Sequence, residues 1–218
     1  MKKLLLLGLI VSLPLVYGCG PKEDEDFFSD EDFMTQSVEE ITPQERIDQY
    51  REILEIDPDD YQIRNNLGVV YAQLKLLDEA IAEFKKVLEK RPDYTTAWLN
   101  MGSAYGDKGD IDEAIKCYEK AIELRPDYAK VYQNLAVAYY EKEEFQKAID
   151  FFNKFIEMNG GKAEQSTYYP LADAYRKLND KENAVKYYNK ILELNPNDEW
   201  ARSQLENIDQ PLTDQQNN

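Results

Sequence analysis

The sequence predicts an all-α fold, a solenoid of stacked helix pairs. Three observations carry this. Columns of like residues return at 34-residue steps, apolar positions inside each unit advance by threes and fours, and turn formers separate the runs. Pro58, Pro92 and Pro126 are 34 apart, and Pro196 continues the series after an interruption. Tyr71, Tyr105, Tyr139 and Tyr175 run in step with them. So do Ala80, Ala114, Ala148 and Ala184, and the small residues Gly68, Gly102, Ala136 and Ala172. Two extra residues in the third unit fall at Gly160-Gly161, with Gly160 in place of the proline. The composition agrees with a folded, acidic, non-catalytic protein. Among 218 residues there are 26 Lys and Arg against 43 Asp and Glu, a net charge of −17, and no histidine. Lack of histidine excludes Ser-His-Asp triads, Cys-His pairs and His-ligated metals. The charge disfavours nucleic acid as a partner, because each phosphate contact calls for Lys or Arg.

The chain opens with Met1-Lys2-Lys3 and an apolar run from Leu4 to Val16. That run is too short to span about 30 Å of hydrocarbon as a helix. A basic start, a short apolar stretch and a small residue before a break describe a signal peptide over residues 1–18. Val16-Tyr17-Gly18-Cys19 resembles a bacterial lipobox. The resemblance implies cleavage before Cys19 and lipid attachment to it, although Tyr17 stands where such boxes carry a small residue. It implies a lipid-anchored protein of the bacterial cell envelope, on the outer membrane where two membranes exist, since Gly20 is not the aspartate of inner-membrane retention. An ordinary signal peptide would instead give a soluble periplasmic or secreted protein. Residues 20–41 hold nine acids and one lysine, the composition of a disordered tether. Interleaved Phe27, Phe28, Phe33 and Met34 make a docking or export motif its second reading. Thr42-Pro43-Gln44-Glu45 is a capping box with proline at the first helical position, opening a capping helix over 42–57. Ile47, Tyr50, Ile53 and Leu54 are its apolar positions.

Four units follow, at 61–94, 95–128, 129–164 and 165–198. In the second, Trp98, Met101, Gly102 and Tyr105 share one helical face. After a turn at Lys108-Gly109-Asp110, Ala114, Ile115, Tyr118, Ala121 and Ile122 form another, ended by Pro126. Trp98, Met101, Gly102, Tyr105, Ala114, Tyr118, Ala121 and Pro126 resemble the signature of the tetratricopeptide repeat family. Leu67-Gly68, Leu135-Ala136 and Leu171-Ala172, with Phe84, Phe152 and Tyr188, repeat it in the other units. The resemblance implies a right-handed α-solenoid of helix-turn-helix repeats. Asp198 is placed to cap a final helix over 198–208 carrying Trp200, Leu205 and Ile208, and residues 209–218 read as a disordered tail.

The same resemblance implies that the first helix of each pair lines a concave groove that binds partner protein segments. The residues facing it would be Asn65, Val69, Gln73, Leu99, Ser103, Asp107, Lys130, Gln133, Val137, Tyr140, Glu141, Tyr169, Asp173, Arg176 and Lys177. Tyr140 and Tyr169 are the aromatic anchors suited to an extended or helical peptide. Chaperone-binding members clamp a terminal carboxylate, and Asn100 and Lys130 match that clamp. Asn65, Val69 and Asn134 do not, which disfavours this mode. Arg176 and Lys177 are placed to meet an acidic segment. Cys117 reads as a packed or half-exposed thiol that Lys116 or Lys120 would make slightly more acidic. Gly102, Gly106 and Gly109 around Lys108 lack the strand context of a phosphate loop. Asp57-Pro58-Asp59-Asp60 lacks calcium-loop spacing and reads as caps and turns. No cofactor or metal is expected. The expected role is a scaffold for a cell-envelope complex. The alternative is an accessory subunit or passive spacer of an envelope enzyme complex.

Overall fold

A computed structural model describes residues 41–210. The signal peptide, Cys19, the acidic tether and the end of the tail lie outside the described residues. Ten helices occur among those described: α1 (Pro43–Ile56), α2 (Tyr61–Gln73), α3 (Leu77–Lys90), α4 (Thr95–Lys108), α5 (Ile111–Leu124), α6 (Ala129–Glu141), α7 (Phe145–Met158), α8 (Gln165–Lys177), α9 (Lys181–Leu194) and α10 (Glu199–Glu206). They form an all-helical stack of the pairs α2/α3, α4/α5, α6/α7 and α8/α9, flanked by α1 and α10.

Small residues set the spacing inside each pair. A Cβ added at Gly68 would lie 2.6 Å from Phe84 Cε1, and one at Gly102 would lie 2.6 Å from Tyr118 Cε1. The bulky residue of the second helix therefore rests directly on the backbone of the first. Ala136 and Ala172 take this place in the next two pairs and are fully buried, as are Phe152 and Tyr188. Each pair leaves a second apolar face that only a neighbouring pair can cover, and the core accordingly runs through the stack as two long clusters.

Turns and caps fix the pairs. Lys75, Gly109, Glu143 and Asn179 each adopt positive φ, and the next residue donates its N–H to the carbonyl of Tyr71, Tyr105, Tyr139 or Tyr175. This is the Schellman closure of the first helix, where glycine is the least strained residue. Between units, the carbonyls of Pro58, Pro92, Pro126 and Pro196 accept side-chain bonds from Arg64, Trp98, Tyr132 and Arg202. The junction between the third and fourth units has no such proline. Its chain turns through Gly160 and Gly161, both at positive φ, and Tyr168 packs instead against Tyr187. Thr42 and Glu45 close the capping box of α1, with Thr42 N–H donating to Glu45 Oε2 at 2.8 Å. Asp60 and Asp198 cap α2 and α10 by accepting backbone N–H bonds.

One asymmetry positions the functional face. The first helices of successive pairs touch one another, α2 on α4, α4 on α6 and α6 on α8, whereas no contact joins α3 to α5, α5 to α7 or α7 to α9. Helices that approach across repeats lie on the inside of a curve. The first helices thus form the inner side of the stack.

Candidate functional site: the inner face of the first helices

A line of polar side chains runs along this inner side, joining each first helix to the next. Asn100 donates to Asn65 Oδ1 at 3.2 Å, Asn134 to Ser103 Oγ at 3.2 Å, and Gln133 to Thr167 Oγ1 at 2.8 Å. Tyr140 Oη donates to Asp173 Oδ2 at 2.7 Å. Because these bonds satisfy polar groups partly beneath the surface, they stitch successive repeats together.

Ten of the fifteen expected groove residues fall into three sets with different surroundings. Val69, Gln73, Ser103 and Asp107 border a shallow depression of about 280 Å³ at the α2–α4 end. Lys130 and Gln133 border another of about 540 Å³ beside the Gly160-Gly161 turn. Tyr140, Tyr169, Asp173 and Lys177 come together in an open groove of about 790 Å³, completed by Pro170, Trp200 and Gln204. Val137 and Glu141 are exposed on α6.

Three expected groove residues are corrected. Asn65 is buried and takes the bond from Asn100, and Leu99 is 6% exposed within the core. Arg176 is 7% exposed and turns into the stack. It donates to Gln204 Oε1 and to the carbonyl of Asn207, so it closes the C-terminal end of α10, where a cation offsets the helix dipole. It is unavailable to an acidic segment. Cys117 is packed, as the sequence reading allowed, and only its expected acidity is corrected. The thiol is buried, and burial with the nearby Glu113 pushes its pKa up to about 12, against the smaller opposing pull of Lys85 and Lys116.

The groove of about 790 Å³ is built by α6, α8 and α10. Tyr169 stands edge-on to Trp200 with ring centres 5.1 Å apart, and its hydroxyl donates to Asp198. Gln165 donates to both members of that pair, at 2.7 Å and 2.8 Å. Asp198 also accepts from Ala201 N–H at 2.8 Å, so one carboxylate caps α10 and anchors Tyr169. Tyr140 packs edge-on against Phe145. Burial, and then the bond to Asp173, push the Tyr140 phenol upward, and the bond to Asp198 does the same for Tyr169. Both hydroxyls therefore remain protonated donors to carboxylates. Beneath the groove, Tyr188 is fully buried, and its Oη has no hydrogen-bond partner among the described residues.

Trp200, Pro170 and Gln204 were not among the expected groove residues. A signal existed: Trp200 holds the place in its unit that Lys130 holds in the third, and Gln204 the place of Asn100 and Asn134. Among the described residues, no group of three or more Cys, Asp or Glu side chains is placed to hold a metal ion. No described helix is long and apolar enough to cross a membrane.

Comparison with known proteins fixes the class. Four models of the tetratricopeptide repeat match residues 47–105, 102–143, 129–161 and 165–198, and the chain belongs to the tetratricopeptide repeat proteins. That family is typically non-catalytic, and its members are protein-interaction scaffolds that bind peptide partners. Among solved structures, the chain is similar to MamA, with 29% identity and a TM-score of 0.63 over 69% of this chain and 88% of that one. It shares the fold of pilF from Pseudomonas aeruginosa, at 19% identity and a TM-score of 0.65 over 75% of this chain and 73% of that one. YrrB, described as a repeat protein with an unusual peptide-binding site, shares the fold at 18% identity and a TM-score of 0.64, over 71% of this chain and 79% of that one. No curated protein matches the sequence significantly.

Proposed function

We propose that this protein is a lipid-anchored scaffold of the bacterial cell envelope that holds partner protein segments along its inner helix face during assembly of an envelope complex. The observation that carries the binding role is the groove of about 790 Å³ walled by Tyr140, Tyr169 and Trp200. Trp200 is 37% exposed at the end of the array. Large aromatics left in an open concavity, with both tyrosine hydroxyls tied down, supply rigid contact area at small entropic cost. YrrB carries a peptide-binding site on the same fold. The anchor rests on the sequence alone, on Gly18-Cys19 at the end of the apolar run. A multiply acylated cysteine would hold the chain stably, at about 0.8 kcal/mol for each buried CH₂.

The test is purification of the full-length protein from detergent-solubilised membranes after mild crosslinking, with mass spectrometry of what accompanies it. A Tyr140→Ala/Tyr169→Ala double variant is expected to lose a small set of envelope proteins that the parent retains. Unchanged recovery would refute groove binding. Cys19→Ser is expected to move the protein from the membrane to the soluble fraction, and persistence in the membrane would refute the anchor.

A further inference from the structure

The groove between α6, α8 and α10 is chemically one-sided, and that sidedness points to what it takes. Its walls are ring faces and edges from Tyr140, Tyr169 and Trp200. Both tyrosine hydroxyls are spent on carboxylates, one on Asp173 and one on Asp198, so neither is left to donate to a ligand. Acceptors remain. Asp173 takes one hydrogen bond from Tyr140, whereas a carboxylate has about four acceptor sites. Pro170 lies inside α8 and lines the groove. Having no N–H, it leaves the carbonyl of Ser166, four residues earlier, without its helical donor.

The charges point the same way. Asp173 lines the groove, and Asp198 stands beside it on the Tyr169 hydroxyl. The hydrogen-bond partners of Asp173 and Asp198 are neutral: tyrosine hydroxyls, the Gln165 amide and the Ala201 N–H. Of the two cations here, Arg176 is turned away onto the end of α10, and Lys177 lines the wall. An acidic segment would face Asp173, with Asp198 close by on the Tyr169 hydroxyl. A purely apolar one would strip water from Asp173 without supplying a donor in its place, which is costly. A basic side chain meets both demands, because ring faces attract a cation more strongly as water is excluded.

We propose that this end of the groove binds a lysine or arginine side chain of an extended partner segment, with the cationic head between Tyr140, Tyr169 and Trp200 and hydrogen-bonded to Asp173. This deepens the scaffold reading and rests on it. The full chain, ¹⁵N-labelled on tryptophan, has two indole signals, from Trp98 and Trp200. The probes are capped peptides of alanine and leucine with one central lysine, arginine, glutamine or glutamate. Lysine and arginine peptides are expected to move the Trp200 signal and not that of Trp98, and to bind about tenfold or more tighter than the glutamine peptide, a factor of the size a single well-placed charge supplies. Asp173→Asn is expected to remove that preference by weakening the lysine and arginine peptides, with circular dichroism confirming the fold. Glutamine or glutamate peptides that bind as tightly as lysine peptides would overturn the cation inference while leaving peptide binding in the groove intact. The charge series on the unmutated chain decides this even where Asp173→Asn is unstable. A Trp200 signal that answers to no peptide would also overturn the inference. The scaffold reading would then stand or fall separately on the crosslinking result.

Discussion

The column formed by Phe84, Tyr118, Phe152 and Tyr188 contains its own control experiment. All four side chains are buried and sit against the small residue of the first helix. Tyr118 Oη donates to Ser103 Oγ at 3.3 Å, whereas Tyr188 Oη has no partner among the described residues. The difference follows from what faces each ring. In the second pair the facing residue is Ser103, whereas in the fourth it is Asp173, which already accepts the hydroxyl of Tyr140. A hydroxyl moved from water to a buried place without a hydrogen bond costs about 1–3 kcal/mol. Phe84 and Phe152 show that the column accommodates a bare ring. Tyr188→Phe is therefore expected to stabilise the protein by about 1–2 kcal/mol, which for a domain of this size raises Tm by about 2–6 °C. Tyr118→Phe removes a made bond and is expected to cost about 0.5–1.5 kcal/mol. Urea unfolding of the two variants, followed by far-UV circular dichroism, gives both numbers. Opposite signs support the reasoning. A Tyr188→Phe protein less stable than its parent by about 0.5 kcal/mol or more would refute it, because the hydroxyl would then have a partner in solution.

Gly102→Val is expected to destabilise by about 1–3 kcal/mol through overpacking, since even a Cβ there falls 2.6 Å from the Tyr118 ring; an unchanged midpoint in thermal unfolding would contradict the packing. Thr42→Ala removes the acceptor for Glu45 N–H and is expected to cost about 1 kcal/mol, read as faster hydrogen exchange in α1 with little change in α8. Stability is expected to fall above pH 9, because burial pushes Cys117 from 9.0 to about 12 and Tyr118 and Tyr187 from 10.0 to about 12. Each group is neutral in the folded state, so its contribution is full below the unfolded pKa and is lost as pH rises toward about 12. Melting temperatures between pH 8 and 11 check this. The same shift predicts slow labelling of Cys117 by thiol reagents at pH 8 until the chain unfolds.

The parts of this protein that were legible in the sequence are those a repeat writes several times. Gly68, Gly102, Ala136 and Ala172 announce close helix approach because the same geometric demand recurs, and recurrence separates it from chance. The prolines and the tyrosines of the Schellman turns are legible for the same reason. What the sequence leaves unread is whatever happens once. Arg176 occupies a place held by Ala72, Gly106 and Tyr140 in the other units, so no column could show that it turns inward to close α10. Asn65 and Leu99 belong to a column whose other members, Gln133 and Tyr169, are only half-buried; their burial depends on the neighbouring repeat, not on their own helix.

Trp200 carries the general point furthest. A terminal helix must seal the last repeat, and an apolar residue on it is naturally assigned to that task. Here Ala201 and Gln204 are the buried residues of α10, while Trp200 touches Tyr188 with one edge and Tyr169 with another, 5.5 Å and 5.1 Å between ring centres. The cap is also a wall. Because α10 has no second helix after it among the described residues, its inner face is not constrained by a further repeat. A large aromatic is tolerated at a place where Gln62, Thr96, Lys130 and Ser166 stand in the earlier units. Repetition therefore supplies the frame, and the end of the repetition supplies the freedom to build a distinct site on it. This is why a groove walled by Tyr140, Tyr169 and Trp200 lies at the last described junction of the array.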